Sequence, residues 1–410
     1  MFSTLYKNAQ CIKGKICAFL RIFEITAHIL GKIPLMLSFK PTYKLENNLK
    51  KLQVAMAEKA AILESLPEEM LRYLHRYAFI ANIGASTRIE NAVLTDREVE
   101  WVDTTLSADD HPSAFDQRRL FITNKLSKDR ERSIEEVVGC RQVLSTVYLQ
   151  SKALFPLTET TIRGLHHDLL QFYPKASAYT GRYKTVPNRV VFINHDTGEN
   201  RVVLDPAPPG TLTEMAMADL AKWYNNTIKE YPWPILTATE FVFRFLAIHP
   251  FQDGNGRLGR ALFILAFLQS EDSHYRTVAP YIALDRHIEQ NRSLYYTTLH
   301  RCADGKFSPN LKNYDLQPLA WFFVKILESA IADIALYRNR YDNFQSLSES
   351  AISVLNCFRS LPEKRLAVAE ITRETSIPRR TVQYALKVLA DKAFVQRMGS
   401  GAGTRYQLIF

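Results

Sequence analysis

Two strongly apolar segments, at residues 237–248 and 260–269, are separated by the polar stretch HPFQDGNGRLGR at residues 249–260. Each segment is apolar around most of its circumference when drawn as a helix, so both predict helices that are buried on all sides. A hairpin of buried helices needs a turn between them, but the turn needs neither the charge nor the polar density of this stretch. Binding of an anionic ligand is the simplest explanation for both the charge and the polar density of the stretch.

The composition is that of an ordinary soluble globular protein. The chain has 410 residues, of which 47% are hydrophobic and 23% charged, enough for two or three domains with sizeable cores. The formal net charge of +10 permits nucleic acid, membrane surface or nucleotide partners and selects none of them. Five scattered cysteines lack the paired spacing of a zinc site, which favours reduced thiols and a cytoplasmic location.

The pattern along the chain predicts four parts. Residues 1–40 form a basic amphipathic leader, residues 41–130 an N-terminal helical region, residues 131–345 a helical core and residues 346–410 a small C-terminal domain. The core is interrupted at residues 179–210, where short β-branched and aromatic runs separated by turn residues predict a β-hairpin.

The leader contains an apolar stretch, 16–39, that resembles a membrane span in length. Charged side chains such as Arg21, Glu24 and Lys32 interrupt it at helical spacing, and no small-residue cleavage site follows, so neither a span nor a signal peptide is predicted. Residues 1–50 carry eight lysines and arginines against two acids. Packing on the rest of the protein, a disordered leader and a helix lying on a membrane surface all remain open.

The polar loop supplies the parts of an anion site. A helix that begins within the loop turns its unpaired amides and the positive end of its dipole toward the turn. Gly254, Asn255 and Gly256 let the backbone approach a ligand closely, which suits a phosphate group. Arg257 and Arg260 are three residues apart on the first turn of that helix, where two guanidiniums suit successive phosphates.

Two further residues complete the chemistry of a transfer reaction. Asp253 is the only carboxylate in the loop, and a single acidic side chain beside a polyphosphate is a usual ligand of Mg²⁺. His249, at the end of the preceding helix, is of the residue type that can take a proton from a hydroxyl nucleophile near neutral pH. The residues therefore predict a nucleotidyl or phosphoryl transfer site; the alternative is a structural turn with solvated arginines.

The stretch HPFQDGNGRLGR resembles the signature HPFxDGNGRxxR of the Fic (filamentation induced by cAMP) family. The resemblance implies a mainly α Fic-type helical bundle that transfers AMP from ATP to a hydroxyl side chain of a target protein and releases pyrophosphate. Related Doc kinases replace the glycines that this chain keeps, which favours AMP transfer. By this resemblance, His249 is the general base and Asp253 is the Mg²⁺ ligand. Gly254, Asn255 and Gly256 form the α-phosphate site, and Arg257 and Arg260 bind the β- and γ-phosphates.

The hairpin at 179–210 resembles the family's flap, which aligns the target's backbone by strand addition beside the active site. Within it, Lys184 stands where the GxYR pattern of close relatives has arginine, which puts target docking in question more than catalysis. Asn291 and Tyr295 lie where related chains contact the nucleotide base; packing between helices is the alternative role for both.

A second motif lies upstream, in GASTRIENAVLT at residues 84–95. Ser86, Glu90 and Asn91 are similar to the inhibitory motif [ST]xxxE[GN] of Fic proteins. Ser86 and Glu90 share a helix face, and a glutamate reaching the phosphate site would pair with Arg260 and leave ATP misaligned for attack. A solvated glutamate is the alternative, and in some relatives the same residue aligns a water for AMP removal.

The C-terminal domain has the order of a winged helix-turn-helix: two helices joined by a short turn, then two strands around GSGAGT. Residues 361–410 carry nine lysines and arginines against four acids. Arg379 and Arg380 open the second helix, and Arg397 and Arg405 flank the wing, which suits DNA. Protein contacts or dimerisation are the other uses of such a domain.

The leading hypothesis is a protein adenylyltransferase that uses ATP and Mg²⁺ and is inhibited by its own Glu90. A second hypothesis is a DNA-binding regulator whose Fic domain senses a nucleotide. A third is a Fic transferase with another donor, such as UMP or phosphocholine. The target protein and the formation of a homodimer are left open by the sequence.

Overall fold

The computed structural model describes residues 37–107, 114–126, 130–193 and 200–410. Most of the predicted leader and the tip of the predicted hairpin lie outside these residues. The described chain is mainly helical, with two small antiparallel sheets of two strands each. The predicted mainly α fold class is therefore confirmed.

The N-terminal region consists of helices whose apolar residues recur every three or four positions. In the first helix, Leu45, Leu49, Leu52 and Met56 are buried along one face, and Thr42 caps the helix by accepting the Leu45 N–H. The helices of this region are α1 (Tyr43–Glu64), α2 (Glu68–Ile89), α3 (Asp96–Ser107) and α4 (Ala114–Lys125).

The core is built around two helices that the sequence predicts to be buried. In α8 every residue except Arg244 is buried, and in α9 every residue except Gly256. The elements of the core are α5 (Glu131–Gln150), α6 (Glu159–Leu170), β1 (Val190–Ile193), β2 (Asn200–Leu204), α7 (Thr211–Glu230), α8 (Pro234–Ile248), α9 (Asn255–Gln269), α10 (Ser273–Val278), α11 (Leu284–Gln290), α12 (Arg292–Ala303) and α13 (Gln317–Gln345).

The apolar period of residues 285–302 predicts a single helix in the core, but the structure has two. The periodic stretch 285–302 breaks at Asn291, which leaves the helical region of backbone space and ends α11. Its side-chain amide donates to the His287 carbonyl at 2.9 Å. A side chain that satisfies the backbone locally competes with helix continuation, and periodicity alone does not register that competition.

The C-terminal elements have a hydrophobic core of their own and lie against helix α2. The Phe410 ring stacks on Tyr77 of α2 with centroids 4.6 Å apart, and Arg97 of α3 donates to the Leu408 carbonyl at 3.1 Å. These elements are α14 (Glu349–Arg359), α15 (Val368–Thr375), α16 (Arg379–Asp391), β3 (Val395–Met398) and β4 (Arg405–Leu408).

The described end of the leader packs on the core. Leu37 is buried, and the Ser38 N–H donates to the buried carboxylate of Glu240 in α8 at 2.7 Å. Residues 37–40 thus belong structurally to the body. Within the described ranges, no helix combines the length and apolarity that crossing a membrane requires.

Candidate active site

The loop at 249–260 reverses the chain between α8 and α9 through two left-handed residues. His249 has φ 49° at the end of α8, and Gly254 has φ 79° at the start of α9. The Asn255 side chain closes the turn: its oxygen accepts the Phe251 N–H at 3.0 Å and its amide donates to the Phe251 carbonyl at 2.7 Å. The amides at the start of α9 consequently face the concave side of the loop.

A buried histidine that sequence reasoning missed anchors this loop. His166 of α6 stacks on Phe251, with ring centroids 3.8 Å apart. Its Nδ1 accepts the Gly181 N–H at 2.9 Å, so its Nε2–H donates to the Asp253 carbonyl, also at 2.9 Å. Burial lowers the pKa of His166 to about 4, which keeps the ring neutral and both bonds intact.

Arg257 carries unused hydrogen-bond donors beside the start of α9. Its side chain is 2% exposed; Nη2 lies 3.2 Å from Asp253 Oδ1, and Nη1 lies 3.7 Å from a Glu136 oxygen. Among the described residues, neither Nε nor Nη1 of Arg257 has a hydrogen-bond partner. A buried guanidinium with free donors at a helix N-terminus fits phosphate oxygens.

Arg260 is held by residues at the end of helix α2. Its Nε donates to Ser86 Oγ at 2.9 Å, and its Nη2 donates to the Ser86 carbonyl at 2.8 Å and to Glu90 Oε1 at 3.0 Å. Burial opposes the charge on Arg260, but the carboxylates of Glu90 and Asp285 raise its pKa above the ordinary value. The structure thus brings Ser86 and Glu90 together with Arg260, which is 170 positions from Glu90 in the sequence.

The end of helix α2 determines where Glu90 points. The helix ends at Ile89, and Asn91 takes the left-handed conformation with φ 74°, which asparagine tolerates better than most residues. The Asn91 side-chain oxygen accepts a hydrogen bond from Arg292 at 2.8 Å. Glu90 therefore projects toward α9, where its carboxylate lies so close to Gly256 that a Cβ on that glycine would collide with it.

The free space in front of His249 is small. The cavity measures about 50 Å³, and the residues around it include Glu90, His249, Arg260, Tyr295 and Tyr296. Such a volume holds a few water molecules at most, whereas pockets for small ligands are typically about 300–1,000 Å³. A ligand of nucleotide size therefore does not fit in this cavity as the structure has it.

His249 itself is half-buried against the loop. Burial lowers its pKa to about 3, and the Lys184 ammonium acts in the same direction. The ring is therefore neutral near pH 7, as a proton acceptor must be. Its Nδ1 accepts a hydrogen bond from the Asn188 side-chain amide at 2.9 Å and lies 3.2 Å from the Asn255 amide.

Asp253 lies two residues before the first residue of α9. Its Oδ1 accepts the Gly254 N–H at 2.6 Å, and its Oδ2 lies 3.5 Å from Arg132 Nη2. In the part of the chain that the structure describes, no group of three or more His, Cys, Asp and Glu side chains could hold a metal ion. A single carboxylate suits a metal that arrives on phosphate oxygens, as Mg²⁺ commonly does.

The two residues predicted to contact a base differ in their surroundings. Tyr295 is buried beside the cavity and packs against Phe322 and Tyr296. Asn291 is exposed, with its amide bonded to the end of α11. Tyr296, which sequence reasoning passed over although it adjoins Tyr295, also borders the cavity.

The predicted hairpin is present as strands β1 and β2. Phe192 and Val203 are buried beneath it, whereas Val191 and Val202 are 45% and 43% exposed. Lys184, expected to bear on target docking, is 3% exposed and lies beneath the loop instead. Its contact with the Ile248 carbonyl is a tertiary one, which the local sequence does not reveal.

Residues 156–267 match the family model of the Fic/DOC family, and a domain of that family therefore occupies this part of the chain. The fold is similar to that of a Fic family protein from Desulfovibrio desulfuricans G20, with 21% identity and a TM-score of 0.53 over 90% of this chain and 98% of that one. A Fic domain containing signaling protein from Bacteroides thetaiotaomicron VPI-5482 is 24% identical, with a TM-score of 0.50 over 71% of this chain and 96% of that one.

These likenesses establish a Fic-type fold. Proteins with a Fic domain are generally transferases of nucleotide-derived groups, and they generally use a nucleoside triphosphate with a divalent metal. The fold and the family match together support a Fic-type transferase.

Proposed function

We propose that this protein is a cytoplasmic protein adenylyltransferase that transfers AMP from ATP to a hydroxyl side chain of a target protein and is inhibited by Glu90. The observation that carries the proposal is the buried guanidinium of Arg257, whose Nε and Nη1 have no hydrogen-bond partner among the described residues. It lies at a helix N-terminus, in the same loop as the neutral His249. A triphosphate satisfies those donors, and a hydroxyl nucleophile needs that base.

In the proposed reaction the target's hydroxyl oxygen attacks the α-phosphorus, and the bond from that phosphorus to the bridging oxygen of the β-phosphate breaks. Pyrophosphate leaves, and the hydroxyl proton passes to His249. The amides at the start of α9 hold the α-phosphate, while Arg257 and Arg260 hold the β- and γ-phosphates. When bound through Asp253, Mg²⁺ supplies positive charge that stabilises the leaving pyrophosphate.

Glu90 is the proposed inhibitor because it competes for the same positions. Its carboxylate pairs with Arg260, a proposed ligand of the terminal phosphates, at 3.0 Å. It also lies against Gly256, in the space proposed for the nucleotide. Removal of the carboxylate is therefore expected to open the site and free the arginine. The exposed strand residues Val191 and Val202 are the proposed docking surface for the target's backbone.

The test uses Glu90→Gly protein, a cell lysate and three labelled donors. Label from ATP carrying the isotope on the α-phosphorus is expected to enter a protein, whereas label on the γ-phosphorus is not, since pyrophosphate leaves. Transfer of the γ label alone would indicate a kinase and overturn the proposal. Transfer from labelled UTP or CDP-choline in place of ATP would instead indicate UMP or phosphocholine transfer.

A second function, DNA binding through residues 361–410, is favoured by the exposed face of α16. Gln383, Lys387 and the 68% exposed Tyr384 lie on this face, together with Arg379 and Arg380 at the start of the helix. Basic, polar and aromatic side chains on an exposed second helix suit the major groove and its phosphates. Duplex binding that weakens steeply with salt and is lost in Arg379→Ala/Arg380→Ala would support it; salt-independent binding would not.

A further inference from the structure

Lys184 and Asn188 lie beneath His249, in the segment that leads from α6 into strand β1. The Lys184 ammonium donates to Asn188 Oδ1 at 2.9 Å and to the Ile248 carbonyl at 3.1 Å. The Lys184 backbone N–H donates to the Pro250 carbonyl at 2.8 Å. The lysine thus ties the hairpin segment to the residues on both sides of His249.

These contacts fix which end of the Asn188 amide faces the histidine. An ammonium only donates, so the atom beside Lys184 is the Asn188 oxygen. The Asn188 NH₂ group then donates to the Phe251 carbonyl at 2.8 Å and to His249 Nδ1 at 2.9 Å. The Asn255 amide, whose orientation Phe251 fixes in the same way, also presents its NH₂ group to Nδ1.

A nitrogen that accepts hydrogen bonds from two amides carries no proton. In a neutral imidazole the proton then resides on the other nitrogen, so His249 is protonated on Nε2. The lone pair on Nδ1 is already engaged, and Nε2 has none to offer. His249 is therefore in the tautomer that cannot accept a proton from a substrate at Nε2.

We propose that Lys184 and Asn188 are positioning residues that set the tautomer of His249 and that catalysis requires the Asn188 amide to turn over. This inference rests on the proposed function, in which His249 accepts the hydroxyl proton. After a half-turn of the amide, the Asn188 oxygen accepts a hydrogen bond from Nδ1–H, and Nε2 presents its lone pair. The hydroxyl proton then goes to Nε2, and the resulting imidazolium keeps its Nδ1–H bond to Asn188.

Lys184 opposes that turn because the rotated amide would place its NH₂ group against an ammonium. The Phe251 carbonyl opposes it as well, because the Asn188 oxygen would then face that carbonyl oxygen. Burial lowers the pKa of Lys184 to about 8, so the cation is held at some cost beneath the loop. Binding of a nucleotide phosphate by Asn255 would withdraw the second amide from Nδ1. Two side-chain amides thus stabilise the resting tautomer: that of Asn255 in the loop and that of Asn188 in the segment that leads to the hairpin.

The test is nitrogen-15 NMR of the imidazole nitrogens in the full-length protein without nucleotide, with His249→Gln used to assign the signals. The wild type is expected to have a bare Nδ1 and a protonated Nε2. Asn188→Asp, which offers only acceptors, is expected to move the proton to Nδ1. Lys184→Arg, which keeps a donor, should retain the wild-type pattern, and Lys184→Met should give a mixture.

A proton on Nδ1 in the wild type, or an unchanged tautomer in folded Asn188→Asp protein, would overturn the proposal. The NMR measurement needs no enzymatic activity, so a protein that transfers no AMP yet has these spectra refutes the proposed function and leaves the tautomer assignment standing. In the Glu90→Gly background, Lys184→Met is expected to raise kcat several-fold over Lys184→Arg with the KM for ATP unchanged. Equal kcat values for Lys184→Met and Lys184→Arg would contradict a role of Lys184 in catalysis.

Discussion

The carboxylate of Glu90, at the end of α2, lies 3.0 Å from Nη2 of Arg260 in the first turns of α9. The two residues are 170 positions apart, and their contact joins the N-terminal region to the phosphate-binding loop. Ser86 holds the same guanidinium through its hydroxyl and its carbonyl. Arg260 is thus the point at which the N-terminal region acts on the proposed active site.

Substitutions at Glu90 separate its volume from its charge. Glu90→Gln keeps the volume and loses the charge, whereas Glu90→Gly loses both. We expect the affinity for a non-hydrolysable ATP analogue to rise from wild type to Glu90→Gln to Glu90→Gly, because the small cavity and the Arg260 pair both oppose binding. Titration calorimetry with Mg²⁺ present measures the series. Equal affinities in all three proteins would contradict a block by Glu90.

The helix end at Asn91 is expected to control inhibition without touching nucleotide. Its φ of 74° suits glycine and asparagine, and a β-branched residue there costs about 1–2 kcal/mol. Asn91→Gly should keep the wild-type transfer rate, whereas Asn91→Val should loosen the end of α2 and raise the rate. The comparison is of label transfer from ATP. A rate in Asn91→Val no higher than in Asn91→Gly counts against this role.

Arg257 is expected to matter for its shape as well as for its charge. Arg257→Lys keeps the charge but removes the Nε and Nη1 donors, which have no hydrogen-bond partner in the described structure. In the Glu90→Gly background we expect kcat/KM for ATP to fall about 10- to 100-fold, the equivalent of one or two charged hydrogen bonds. Arg132→Gln, on an arginine whose side chain is 60% exposed, is the control and should lose less. An equal loss in both variants argues against the assignment.

Glu240 makes the stability of the core depend on pH. Burial raises its pKa from 4.5 to about 7, so the folded protein keeps a proton that the unfolded chain releases above pH 4.5. Its contribution to stability is therefore fully present below pH 4.5 and is lost as the pH rises toward 7. Between pH 4.5 and 8 the wild type should lose about 3 kcal/mol relative to Glu240→Gln.

Urea unfolding of both proteins at several pH values measures this difference. Glu64→Gln makes the same chemical change at an exposed position of α1 and is the matched control. We expect its curve to follow that of the wild type. A constant difference between wild type and Glu240→Gln across the range would refute the predicted coupling.

The fold and the loop were predictable from the sequence because the relevant signals are local. The apolar runs at 237–248 and 260–269 specify buried helices whatever surrounds them, and the polar turn between them can only lie at their shared end. The pairing of Glu90 with Arg260 was also predictable, but from the resemblance to the inhibitory motif. No local pattern links residues so far apart.

The remaining parts of the site arise from tertiary contacts. No sequence pattern marks His166, and Lys184 is marked only as a departure from the GxYR pattern, yet each is buried and bonded to the backbone of the loop region. Lys184 was expected to affect docking because local sequence reveals the hairpin but not what lies beneath it. The break at Asn291 was missed because the apolar period continues through it. The hydrogen bond from the Asn291 side chain to the His287 carbonyl, which ends the helix, leaves no periodic signal in the sequence.

The most direct test of the central claim is the intact mass of purified Glu90→Gly protein after incubation with ATP and Mg²⁺. The account predicts a gain of one AMP on the protein itself or on a target added from lysate. The gain should be absent in Glu90→Gly/His249→Ala and much smaller in the wild type. Absence of any AMP adduct on the protein and on every lysate protein, or an equal adduct in the His249→Ala variant, would contradict it.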